Sequence, residues 1–124
     1  MERYLTDRKR AIGMGSSHGG TKHHWQMLVS SLALVIMAPV FMVTFALGFQ
    51  GTHAEVVAYF GHPLVAVIMA LSLFVIVRHV MHEAVEAAED YVHGIKGQLT
   101  IVSITWASHI LIAIGLFAIA RMAL

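Results

Sequence analysis

At 124 residues, 58% hydrophobic and only 12% charged, with a mean hydropathy of +0.76, the chain is too apolar for a soluble domain of its size and reads as a membrane protein. It has no cysteine, which excludes a disulfide, a thiolate-bound zinc and an iron–sulfur cluster of its own, so any redox centre it holds has to hang on histidine. The formal net charge of +1 gives no reason to expect a nucleic-acid partner.

The N-terminal stretch MERYLTDRKRAIGMGSSHGGTKHHW mixes Glu2 and Asp7 with Arg3, Arg8, Lys9 and Arg10. It lacks the apolar region of a secretory signal, and its acids argue against a mitochondrial presequence; a bacterial protein, or an already processed organellar one, is expected. Residues 1–23 read as an N-terminal segment and residues 24–124 as a membrane domain. A membrane-crossing helix needs about 20 predominantly apolar residues. Three segments qualify, at about 24–49, 63–91 and 98–122. Pro39 lies inside the first, where membrane helices tolerate a kink. Pro63 opens the second as its first helical residue, after Gly61 and His62. Gly94 and Gly97 are expected to form the short turn into the third. The predicted fold is thus all-α, a membrane protein of three transmembrane helices.

Loop charges set the direction of insertion. Arg3, Arg8, Lys9, Arg10 and Lys22 precede the first span and Lys96 lies between the second and third, whereas QGTHAEVVAYFGH between the first two has neither lysine nor arginine. The N-terminus and the Gly94–Gly97 turn are therefore expected to be cytoplasmic and the C-terminus periplasmic, in a bacterial inner membrane.

The second span carries the chemistry. From Leu64 to Val77 it has no charge, and then VRHVMHEAVEAAEDYVHG brings three histidines, three glutamates and an aspartate. At 3.6 residues per turn, His79, His82, Glu83, Glu86, Asp90 and His93 share one face. A helix end leaving the membrane accounts for the outer part of this stripe, with Glu86, Glu89 and His93 solvated. His79 adjoins the apolar run, where ionisable groups usually face a cavity, a cofactor or a partner. A neutral imidazole there suits haem iron or structural hydrogen bonding. A second intramembrane histidine is His109, about 16 Å along the third span from Gln98, against about 21 Å back from His93 to His79, at about 1.5 Å per residue. An intrachain pair and a simply packed His109 both stay open. Asp90-x-x-His93 has the spacing of a di-iron helix, but the other spans supply no intramembrane carboxylate to complete such a site.

His79 followed by Asp90 and Tyr91 in DYVHG resembles the second transmembrane helix of the small membrane-anchor subunit of succinate dehydrogenase, the cytochrome b anchor of respiratory complex II. GMGSSHGGTKHHWQ leading into SSLALVIMAP is similar to the start of the first span in its alpha-proteobacterial members, so the resemblance runs from about Gly13 onward. It implies that His79 is an axial ligand of haem b, with the other from a companion cytochrome b subunit. It implies that Tyr91 donates a hydrogen bond to a carbonyl oxygen of a ubiquinone-type quinone, with Asp90 beside it. Implied partners are that companion subunit, an iron–sulfur subunit, a flavoprotein subunit and membrane lipid. The role is non-catalytic, since the chain has no nucleotide-binding glycine motif, flavin site or cluster ligands. Asp90, His93, His23 and His24 are candidates for carrying the two protons that quinol formation needs; His23 and His24 equally suit an interfacial pair beside Trp25.

Three features depart from the family pattern. Glu83 stands four residues after the haem histidine, where glycine is usual. Val29 stands where an arginine is common, and HEAVEAAE is unusually acidic. Two alternatives from other classes follow: a stand-alone cytochrome using His79 and His109, and a cofactor-free scaffold whose acidic helix end docks a basic partner.

Overall fold

Helix formation follows the apolar segments and then overruns them. In a computed structural model that describes residues 6–124, every regular element is helical: α1 Asp7–Ile12, α2 Gly19–Gly48, α3 His53–Gly61, α4 Pro63–Tyr91 and α5 Gly94–Ala123. Glu2 and Arg3, which enter the charge count above, lie outside the described residues. Helices α2, α4 and α5 are long and apolar enough to cross a membrane, so the expected all-α architecture with three spans is what the chain adopts.

α4 has the expected bounds, but α2 begins at Gly19 rather than 24 and α5 at Gly94 rather than 98. Hydropathy marks only the lipid-embedded length. Thirty helical residues at about 1.5 Å each extend about 45 Å, against about 30 Å of hydrocarbon, so each long helix carries additional turns into the interface. α2 runs through Pro39 without interruption.

The turn between α4 and α5 is consequently only Val92 and His93, the latter capping α5. His93 therefore leaves the helical stripe. Gly94 adopts the left-handed φ of 69° that starts α5. Gly97 is buried within the first turns of α5 against the Val92 carbonyl, where a Cβ would collide.

α3 was not expected in the connection between the first two spans. Its signal is Thr52-x-x-Glu55: the Glu55 carboxylate accepts from the Thr52 amide at 2.7 Å and from the Thr52 hydroxyl at 2.9 Å, a capping box. These two donors, the amide foremost, hold the Glu55 carboxyl below the usual carboxylate range. A depressed folded-state value means that the cap's contribution is present above the unfolded value and is lost as pH falls through the folded one. Acidification through that range is therefore expected to reduce the protection of α3 amides relative to their intrinsic exchange rates, and Glu55→Gln, which keeps the cap geometry, to remove this pH dependence. An α3 exchange rate that follows only the intrinsic pH effect in the parent would contradict the capping role.

α3 tucks under the ends of the long helices. The Tyr59 hydroxyl donates to the Thr44 carbonyl at 2.9 Å. Phe45, Phe49 and Phe60 pack with ring centroids 4.7–6.1 Å apart. Gly48 is buried because the Phe60 and Tyr59 rings occupy the space its side chain would need.

Among the described residues α4 packs against both α2 and α5, which do not touch each other. The three long helices thus form a row, with α4 in the middle. The α2–α4 seam has an antiparallel heptad register: His23 meets Glu86, Ser30 meets His79 and Met37 meets Ser72. Seven-residue steps on both helices are the signature of left-handed, knobs-into-holes packing. Small residues let these helices approach, as they do in membranes generally. Ser72 is fully buried, its hydroxyl 3.9 Å from the Met37 sulfur, and Gly115 of α5 faces the Leu73 side chain. Ser72→Leu is expected to overpack the seam by about 1–3 kcal/mol. It should appear as a lowered thermal midpoint of the protein in detergent; an unchanged midpoint would mean the seam has room to spare.

Candidate functional site

The polar stretch of α4 is divided by its neighbours. Residues turned toward α2 find partners there, and among the described residues those nearer the end of α4 find none.

His79 is the innermost. Its side chain is 12% exposed, against 58% for Glu83 one turn on. Its Nδ1 lies 3.1 Å from the Ser30 hydroxyl. Ser30 donates its only hydroxyl proton to the Met27 carbonyl at 2.9 Å, so toward His79 its oxygen accepts. His79 Nδ1–H therefore donates to Ser30. The Glu83 carboxylate is 3.6 Å from Nε2, beyond hydrogen-bond length. His79 is thus a largely buried imidazole oriented by Ser30 through Nδ1, with Nε2 turned to Glu83 and bonded to nothing among the described residues.

Two turns further along, Glu86 accepts a hydrogen bond from His23 Nε2 at 2.6 Å, with the side chains 42% and 52% exposed. The His82 ring stands edge-on to that of His23, centroids 6.3 Å apart. This carboxylate–imidazole bond ties the first turns of α2 to α4. Its exposure limits its worth to about 1 kcal/mol. Glu86→Ala is accordingly expected to lower stability by about that much and to speed amide exchange between His23 and Ser30, while leaving exchange in α5 unchanged.

Asp90 and Tyr91 end α4 and are both exposed, Tyr91 to 84%. Among the described residues neither makes a side-chain hydrogen bond. They are presented outward and serve no evident packing role. Glu89 and His93 are exposed. Glu86, expected to be solvated with them, is bound to His23 instead.

His109 is not brought to His79. It lies exposed on α5 and its Nδ1–H donates to the Thr105 carbonyl one turn back, at 2.6 Å, whereas His79 is turned to α2. Ser30 and the pairing of His23 with Glu86 were not singled out from the sequence, although both follow from the heptad step once one contact of the seam is known.

The family model for the succinate dehydrogenase/fumarate reductase transmembrane subunit matches residues 2–120. The chain belongs to that family. It is a multi-pass membrane anchor subunit, and it is 38% identical over 122 residues to the succinate dehydrogenase hydrophobic membrane anchor subunit of Paracoccus denitrificans, covering 98% of this chain and 95% of that one. No solved structure matches it. α4 of this anchor thus presents one inward imidazole bonded to Ser30, and one outward phenol and carboxylate at the helix end.

Proposed function

We propose that this anchor contributes His79 as one axial ligand of haem b, and Tyr91 with Asp90 to a quinone-binding site, within a succinate:quinone oxidoreductase. The second axial histidine comes from a companion cytochrome b subunit, and electrons arrive from a flavoprotein through an iron–sulfur subunit. The N-terminus and the α4–α5 turn face the cytoplasm of a bacterium and the C-terminus faces the periplasm, in keeping with Arg8, Lys9, Arg10, Lys22 and Lys96.

The observation that carries the reading is the placement of His79: its side chain is 12% exposed at the inner end of the polar stripe, and Ser30 holds Nδ1, which leaves Nε2 as the ring nitrogen open to iron. Glu83 fits on one condition. Its carboxylate has to swing away from Nε2, and its exposure gives it the freedom to do so. A bound haem supplies a one-electron store beside the quinone path.

The protein's own part in the chemistry is positional. Tyr91 carries an exposed phenolic hydroxyl at the end of α4. It donates a hydrogen bond to a quinone carbonyl oxygen, and this bond strengthens as the quinone gains electrons. Quinone reduction consumes two electrons and two protons. Asp90, exposed next to Tyr91, lies where it can take protons from cytoplasmic water.

The test is a reduced-minus-oxidised absorption spectrum of the gently extracted complex. A b-type α-band is expected. A flat spectrum from an intact assembly would overturn the haem assignment and leave the quinone role to be judged by turnover. Haem retained by this chain alone in detergent would favour a stand-alone cytochrome.

A further inference from the structure

We infer that the groove between α2 and α4 on the side of Arg78 is a binding site for an anionic phospholipid, whose phosphate is held by Arg78 and His82. The groove has a volume of about 420 Å³. Trp25, Arg78 and His82 line its polar part and Val29, Phe74 and Val75 its apolar part. That accommodates a headgroup phosphate and the upper stretch of one acyl chain.

Arg78 needs an anion from outside the chain. Among the described residues no carboxylate lies within 4.0 Å of it, because Glu83 is turned to His79 and Glu86 to His23. A guanidinium on a membrane-spanning helix is costly unless it is paired or reaches the interface. Arginine does the latter by bending its stem along the helix. Trp25, on the wall opposite Arg78 and nearer the helix ends, is of the residue type that settles at headgroup level. Cation, second imidazole donor and interfacial indole therefore bound one groove, with apolar surface deeper in the membrane.

The groove is also open along its rim in this chain. Trp25 is 63% exposed, Val29 48% and Phe74 50%. It is distinct from the ligand side of His79, since neither His79 nor Glu83 lines it and His79 Nε2 points to Glu83. Ser30, which bonds His79 Nδ1, is the residue the two sides share.

The experiment uses the assembled complex in nanodiscs of phosphatidylcholine doped with phosphatidylglycerol, read by native mass spectrometry together with the haem spectrum. The parent is expected to retain one phosphatidylglycerol more than Arg78→Gln, Arg78→Lys to retain it, and haem absorbance to be equal in all three. Equal retention in parent and Arg78→Gln would overturn the site. Haem loss in Arg78→Gln with lipid retention unchanged would also overturn it, assigning a haem carboxylate to Arg78. If Arg78→Gln fails to assemble, Val29→Phe fills the groove from its exposed side and keeps both cationic donors. It should lose the same lipid, and undiminished retention there would again overturn the inference.

Discussion

His79→Ala is expected to remove the b-type haem absorbance from the assembled complex while leaving the three-helix row intact. The side chain is half-buried, but its hydrogen bond is to one serine, and that serine keeps its bond to Met27 when the imidazole is gone. No buried charge is stranded, and the cavity opens toward Glu83, which is free to relax. Loss of haem without loss of assembly therefore separates a ligand from a structural histidine. Ser30→Ala sharpens the distinction. It leaves the imidazole in place but releases the hydrogen bond that orients its ring, and outer-shell partners of metal-bound histidines typically change metal affinity by about 10–100-fold. Haem retention in Ser30→Ala should fall by about 10-fold. A haem spectrum unchanged in His79→Ala would remove His79 from the ligand set, and with it the meaning attached to Ser30.

The sequence makes some of this plain and hides the rest for identifiable reasons. Pro63, directly after Gly61 and His62, marks the start of α4, and the apolar run from Leu64 fixes it as a span; start and end are both where they were expected. The histidine-to-tyrosine spacing along α4 likewise follows from helical period alone. Which face of α4 meets which neighbour does not. Ser30 looks like any small residue of a span, and nothing in a single chain says whether His23 meets Glu83, Glu86 or Asp90. The choice is made by packing across two helices, where Ser72 and Met37 set the register and the seven-residue step carries it to Ser30–His79 and His23–Glu86. The charges show that the stripe from His79 to His93 divides but not where: α2 claims it as far as Glu86, beyond the residues nearest the apolar run, and the chain leaves the helix at Val92, so His93 caps the next one. The capping box of α3 is legible at Thr52 and Glu55, but nine residues between two spans carry too little periodicity to mark a helix by themselves.

Tyr91→Phe tests the other end of α4, and the argument for it begins with what Tyr91 does not do. The side chain is 84% exposed and its hydroxyl bonds to nothing among the described residues, so removing one oxygen should leave stability and assembly unaltered. Succinate oxidation measured with a soluble dye that bypasses the quinone should also be unaltered. If the phenol donates to a quinone carbonyl oxygen, quinone reduction loses a hydrogen bond that is strongest when the oxygen becomes negative. Deleting one such donor typically costs about 10²–10³-fold in turnover. A loss of about 10²-fold is expected here, borne by kcat more than by KM, because the bond matters more to the reduced species than to the bound quinone. Asp90→Asn separates proton supply from binding: it preserves the shape of the residue beside Tyr91 but no longer accepts a proton, so its defect should deepen as pH rises and free protons become scarce. Equal quinone rates in parent and Tyr91→Phe would take the phenol out of the site. A pH profile parallel to the parent's in Asp90→Asn would confine Asp90 to shaping the site, and the protons would then have to enter elsewhere, with His93, two residues past Tyr91, and the His23–Glu86 pair the groups left to carry them.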